Sequence, residues 1–137
     1  MTAKMLFHAE EELGDTYWYV ALGCEALKCQ LQDQVDENQL TSKFCELDIK
    51  NTLLCLANHV GMIAGRNICG NDNDQDMPKL FGVVAQLLDQ CCIKLGLNPE
   101  NVRSNNISKL KLRFPDKFSN EAAEARADKG GADARNS

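Results

Sequence analysis

The stretch Glu10-Glu11-Glu12-Leu13-Gly14-Asp15-Thr16-Tyr17-Trp18-Tyr19-Val20-Ala21-Leu22-Gly23-Cys24-Glu25-Ala26-Leu27 decides the fold class. Leu13, Tyr17, Val20, Cys24 and Leu27 recur at helical spacing, which predicts an amphipathic helix from Glu10 to about Leu31. Its opening is crowded with acid: Glu10, Glu11, Glu12 and Asp15. Two physical readings fit. Carboxylates suit a helix N-terminus, where the aligned peptide dipoles leave partial positive charge. Alternatively, Glu12 and Asp15 lie three residues apart and share a helical face, and paired carboxylates are how a protein holds a hard divalent cation. Spacing alone leaves both open.

Working outward, the 137 residues fit one domain with a core of its own. Aromatic residues at 6% and three prolines favour helices over a sheet sandwich. A formal charge of -5 argues against binding a nucleic acid polymer. Seven cysteines without a signal segment at Met1 are expected to be reduced, in a soluble cytoplasmic protein. They contain no Cys-x-x-Cys zinc knuckle, and most are expected to pack as small hydrophobes. No apolar run approaches the roughly 20 residues that span a bilayer, so no membrane partner is expected.

Further along, a second helix is expected from Ser42 to Arg66, with Ser42 as cap and Phe44, Leu47, Leu54, Val60 and Ile63 on a broad apolar face. Such breadth predicts burial on more than one side, in a bundle or a dimer. Gln32 to Gln39 is polar and should bend or end the first helix. Gly70 to Asp76 is a loop by composition. Its alternating Asp72, Asp74 and Asp76 fail as a calcium loop, because Met77 and Val83 stand where a glycine and a bidentate glutamate are needed. A third helix runs from Pro78 to Leu95, closed by Gly96, and a fourth from Pro99 to Arg113, stopped by Pro115. Residues 119–137 lack large apolar side chains and are expected to form a disordered polar tail behind a helical domain of residues 1–118. The expected fold is thus all-α, a bundle of about four helices.

Glu11-Glu12-Leu13-Gly14-Asp15 followed by Trp18-Tyr19-Val20-Ala21 resembles the second motif of the MazG-like, all-α nucleoside triphosphate pyrophosphohydrolases. Asn106-Ile107-Ser108-Lys109-Leu110-Lys111-Leu112-Arg113-Phe114-Pro115 is similar to that family's closing Asn-x-x-Lys-Leu-x-x-Arg-aromatic-Pro signature. The resemblance implies a helical bundle, dimeric or built from a duplicated pair, that uses Mg2+ to hydrolyse a nucleoside triphosphate to the monophosphate and pyrophosphate. Magnesium would bridge phosphate oxygens and help make a nucleophilic water. Carried over by position, Glu12 and Asp15 would ligate the metal, with Glu11 as the neighbouring catalytic carboxylate. Lys109 and Arg113 would neutralise the phosphates, and Asn106 would hydrogen-bond the nucleotide.

The family places a Glu-x-x-Glu helix before this motif, whereas nine residues precede Glu10 here, so that helix is expected to be missing. Downstream, Leu56 to Ala64 has the frame of that first motif, with His59 and Met62 in place of the glutamates. Lys79-Leu80-Phe81-Gly82-Val83 aligns with Glu11 to Asp15 when Gly82 is set on Gly14, and Leu95-Gly96-Leu97 then falls opposite Leu27-Lys28-Cys29. Leu80 and Val83 thereby replace Glu12 and Asp15. This alignment suggests the back half of one unit followed by a second unit that has lost its acids, as in the shortened end of a longer protein.

Blander roles stand beside these. His59 is expected to be a hydrogen-bonded core histidine, and His8 either reaches a metal or belongs to a frayed terminus. Trp18 and Tyr19 could stack on a base, but core packing is the expectation. Lys109, Lys111 and Arg113 suit the last turn of a helix without any phosphate. Three functions compete: a Mg2+-dependent pyrophosphohydrolase, a catalytically inactive MazG-like bundle serving as homo-oligomeric or homologous partner subunit, and a helical adaptor with no nucleotide site.

Overall fold

A computed structural model of the chain describes residues 1–29, 40–70 and 76–115. Five α-helices and no strand occur among them: α1 (Ala3–Ala26), α2 (Leu40–Cys45), α3 (Ile49–Ile68), α4 (Met77–Lys94) and α5 (Pro99–Arg113). The polar segment 32–39, most of the acidic loop and the tail 119–137 lie outside the described residues.

Three helix boundaries differ from expectation, each for a local reason: α1 ends at Ala26 rather than about Leu31, because Lys28 turns to positive φ and the Cys29 N–H closes on the Cys24 carbonyl at 3.0 Å. α1 starts at Ala3 rather than Glu10, because Thr2 adopts extended backbone and its Oγ1 accepts from the Met5 amide at 3.2 Å. The expected Ser42–Arg66 helix is two helices, with Ser42 inside α2 instead of capping. Asp48 makes the break: its carboxylate accepts the Asn51 amide at 2.7 Å, capping α3 and satisfying an end amide. α4 and α5 begin as the prolines dictate, and Asn98 caps α5 through the Asn101 amide at 3.1 Å.

α4 is the centre of the bundle. Leu87, Leu88, Cys91 and Cys92 are fully enclosed, with α3 along one side, α1 and α5 along another, and α2 against the C-terminal half. Tyr17 and Val20 of α1, Val102 of α5 and the half-buried Leu56 and Ile63 of α3 complete the core around Val84, Ala85 and Leu88. Each enclosed leucine contributes about 1.5–3 kcal/mol by leaving water. Lys94 pins α2 by donating to the Phe44 carbonyl at 3.1 Å and to Gln90 Oε1 at 2.9 Å. Tyr17 fastens α1 to α4 by donating to Asp89, and Arg103 of α5 reaches the same carboxylate at 3.0 Å. Burial together with that carboxylate pushes the Tyr17 phenol far above its ordinary value.

The α3 face is only partly used. Thr52 is its one buried residue, while Leu53, Leu54, Val60 and Ile68 are exposed, so burial on two sides does not occur within the described chain. Gly61 and Gly65 likewise meet nothing within 4 Å.

The internal alignment extends from letters to backbone. With Gly82 on Gly14, the buried residues Gly14, Tyr17, Val20 and Cys24 fall on the buried Gly82, Ala85, Leu88 and Cys92. Lys28 then falls on Gly96, and both have positive φ, 54° and 75°. The same six-residue closing bond follows, Cys29 N–H to the Cys24 carbonyl at 3.0 Å and Leu97 N–H to the Cys92 carbonyl at 2.8 Å.

Candidate functional site

The acidic stretch of α1 and the basic end of α5 lie against each other. Because α1 begins at Ala3, Glu10 to Asp15 sit about two turns inside the helix, and its first turn holds no acid. The dipole explanation therefore does not apply, since that field fades within the first turn. What the carboxylates face is α5.

Asp15 is the hub. Its Oδ1 accepts from Asn106 Nδ2 at 2.6 Å and from Lys109 Nζ at 3.0 Å. Lys109 also lies 3.9 Å from Glu11 Oε1, and Glu10 Oε1 accepts from Asn105 Nδ2 at 2.8 Å. The Lys109 ammonium holds the Asp15 carboxyl below its ordinary range; burial opposes this, and Asn106 and the field of Arg113 assist. Close approach makes the cluster possible. A Cβ on Gly14 would stand 2.9 Å from the Asn106 Cβ, so only glycine lets α5 come so near.

Proximity to α5 selects which acids take part. Glu11 and Asp15, four apart, both approach Lys109 of α5, whereas Glu12, though within the same broad face, is exposed. The paired face is therefore Glu11 with Asp15. Arg113 lies one turn past Lys109, exposed, and acts on Asp15 only through its field.

Beside the hub is a cleft of about 270 Å³ between α1 and α5, lined by Phe7, Glu10, Glu11, Val102, Asn105, Asn106 and Lys109. Phe7, Val102 and Asn105 carry no site signal in the sequence, and Glu10 stands there only as part of the acidic cluster. The helical spacing of Phe7, Glu10 and Glu11, and of Val102, Asn105, Asn106 and Lys109, puts each set on one face, but only the pairing of α1 with α5 joins the two sets.

The donor set does not fit a magnesium ion. Magnesium wants near-octahedral oxygen ligands, yet Lys109 puts an ammonium on the Glu11 and Asp15 carboxylates, and Glu12 is solvent-exposed. No group of three or more His, Cys, Asp or Glu side chains able to hold a metal occurs among the described residues.

The remaining candidates take other roles. His8 lies 3.8 Å from Glu11 and edge-on to Phe7, its ring centroid 6.0 Å away. His59 is half-buried, its Nδ1 2.7 Å from the Cys55 carbonyl oxygen. Tyr19 is 70% exposed and Trp18 half-buried, so the fully packed ring of this stretch is Tyr17. All seven cysteines are free thiols; Cys24, Cys91 and Cys92 are buried, Cys45 and Cys69 exposed. No single described helix is long and apolar enough to cross a membrane.

Comparisons of the chain with protein-family profiles, curated proteins and solved structures found no match.

Proposed function

We propose that this chain is a nucleotide-binding subunit of the MazG-like, all-α pyrophosphohydrolase type, taking a nucleoside triphosphate into the α1–α5 cleft with its phosphates toward Lys109 and Arg113. The observation that carries this reading is the convergence of Asn106 and Lys109 on Asp15 at the edge of a 270 Å³ cleft. The Lys109 ammonium carries three donors, so beside Asp15 and the more distant Glu11 it can still take an anionic phosphate oxygen. The reaction implied by the resemblance is hydrolysis between the α and β phosphates. The described carboxylates do not complete a magnesium shell, so turnover calls for acids from a homologous subunit or from residues beyond those described. The exposed Leu53, Leu54, Val60 and Ile68 offer such a subunit an apolar face. The free thiols suit a reducing, cytoplasmic setting.

A second reading has its own support. Leu80 and Val83 occupy the α4 positions that align with Glu12 and Asp15, and Lys109 neutralises the acids that remain. A catalytically inactive bundle that binds nucleotide and regulates or pairs with a homologue would keep the cleft and lose the chemistry.

Calorimetric titration with a triphosphate carrying a non-hydrolysable α–β bridge tests the binding common to both. Saturable heat that disappears in Lys109→Ala is expected; no heat, with or without magnesium, sinks both readings. Pyrophosphate release from a panel of nucleoside triphosphates then separates them, since only the enzyme loses release in Glu11→Gln or Asp15→Asn.

A further inference from the structure

We infer that the cleft discriminates among bases, favouring cytosine and adenine, whose amino group stands at C4 or C6, over uracil and thymine, which carry a carbonyl at C4. This rests on the nucleotide reading above and adds the substrate class. The two ends of the cleft differ in chemistry. Lys109 is a pure donor at the end next to Asp15, where phosphate belongs. At the other end Phe7 presents a ring that is 58% exposed, and Val102, 1% exposed, forms an apolar wall. An aromatic face and an apolar wall suit a planar base, because every base can stack on an aromatic ring.

The polar groups beside that platform are mostly acceptors. Glu10 is a carboxylate with lone pairs to spare after accepting from Asn105. Because an Asn105 N–H is committed to Glu10 at 2.8 Å, its carbonyl oxygen and its second N–H remain for a ligand. Glu11 adds a further acceptor. A base edge entering here meets an acceptor-rich wall fixed in place by the Glu10–Asn105 bond.

Cytosine and adenine present an amino group that donates to such a wall, and carboxylates and asparagine amides are the side chains that pair with those edges. Uracil and thymine place a carbonyl oxygen at the corresponding position. That oxygen would face the Glu10 carboxylate with no proton between them, a repulsive contact between two acceptors in place of a hydrogen bond.

The test is titration of the full chain, free of metal, with CMP, AMP, UMP and TMP, and separately with inorganic pyrophosphate. CMP and AMP should bind about tenfold or more tightly than UMP and TMP, in line with one well-made base-edge pairing. Glu10→Gln, which keeps an acceptor for Asn105 and adds an N–H donor, should erase that preference by strengthening UMP. Phe7→Ala should weaken all four alike, with the helical circular dichroism spectrum unchanged. Equal affinity for CMP and UMP overturns the base preference and leaves phosphate binding intact. Pyrophosphate binding without any mononucleotide binding overturns the base site alone, while no binding of any of these ligands removes the nucleotide reading with it.

Discussion

Replacing Gly14 by alanine tests the contact on which the cleft depends. The new Cβ would stand 2.9 Å from the Asn106 Cβ, 3.3 Å from its Cγ and 3.2 Å from its Nδ2. Carbon atoms settle at about 3.5–4.0 Å, so the gap must open by roughly 0.6 Å or more. Asn106 is 6% exposed, and its Cβ is tied to the α5 backbone, so no rotamer change relieves the clash. α5 has to move, lengthening the Asn106 and Lys109 bonds to Asp15. Overpacking of this kind costs about 1–3 kcal/mol. Against it stands a gain of about 0.5–1 kcal/mol from alanine in a helix interior. The net expectation is a loss of about 1–2 kcal/mol. Gly61→Ala on α3 is the matched control, because nothing lies within 4 Å of its added methyl and only the helix gain of about 0.5–1 kcal/mol remains. The helix gain is common to both, so urea unfolding followed by circular dichroism should separate the two variants by the overpacking cost, about 1–3 kcal/mol, and nucleotide binding should weaken in Gly14→Ala alone. Equal stability would mean that α1 and α5 do not meet at Gly14, and the cleft would go with that contact.

Three further outcomes follow from individual groups. Lys28 takes a left-handed φ of 54° where the aligned cap has Gly96 at 75°; Lys28→Gly should raise stability by about 0.5–1 kcal/mol and Gly96→Ala lower it by about 1 kcal/mol, and a lower melting temperature in Lys28→Gly or a higher one in Gly96→Ala would refute the shared cap. The Asp15 carboxyl is held below 3.8 when folded, so its contribution is present above that value and lost as pH falls through the folded one. Carboxyl carbon NMR should show its midpoint rising in Lys109→Met, and an unmoved midpoint would contradict the ion pair. Burial pushes the Cys24 and Cys91 thiols up to about 11, so a thiol reagent near neutral pH should label exposed Cys45 and Cys69 first and reach Cys24, Cys91 and Cys92 only on unfolding; early labelling of Cys91 would refute the packing of α4.

Much of the helical architecture was legible because its signals are local. The spacing of Tyr17, Val20 and Cys24 fixed the buried face of α1, and Pro78, Gly96, Asn98 and Pro99 fixed the ends of α4 and α5. The weaker signals misled. Thr2 and Asp48 are caps that the apolar periodicity around them does not mark, so periodicity places the first helix several residues too late and does not separate α2 from α3. The candidate acids were legible as a cluster, but their roles were not, because those depended on where α1 begins.

By itself the sequence determined the all-helical class, the central apolar run of α4, and the acidic and basic segments, each through residue type and near-neighbour spacing. Only the tertiary structure decided that Glu11 rather than Glu12 joins Asp15, that Lys109 sits on both, and that Phe7, Glu10 and Asn105 share a cleft. The reason is geometric. A helix repeats every 3.6 residues, so sequence can say which residues share a face, but which face another helix covers depends on contacts between residues some ninety positions apart, as between Asp15 and Asn106.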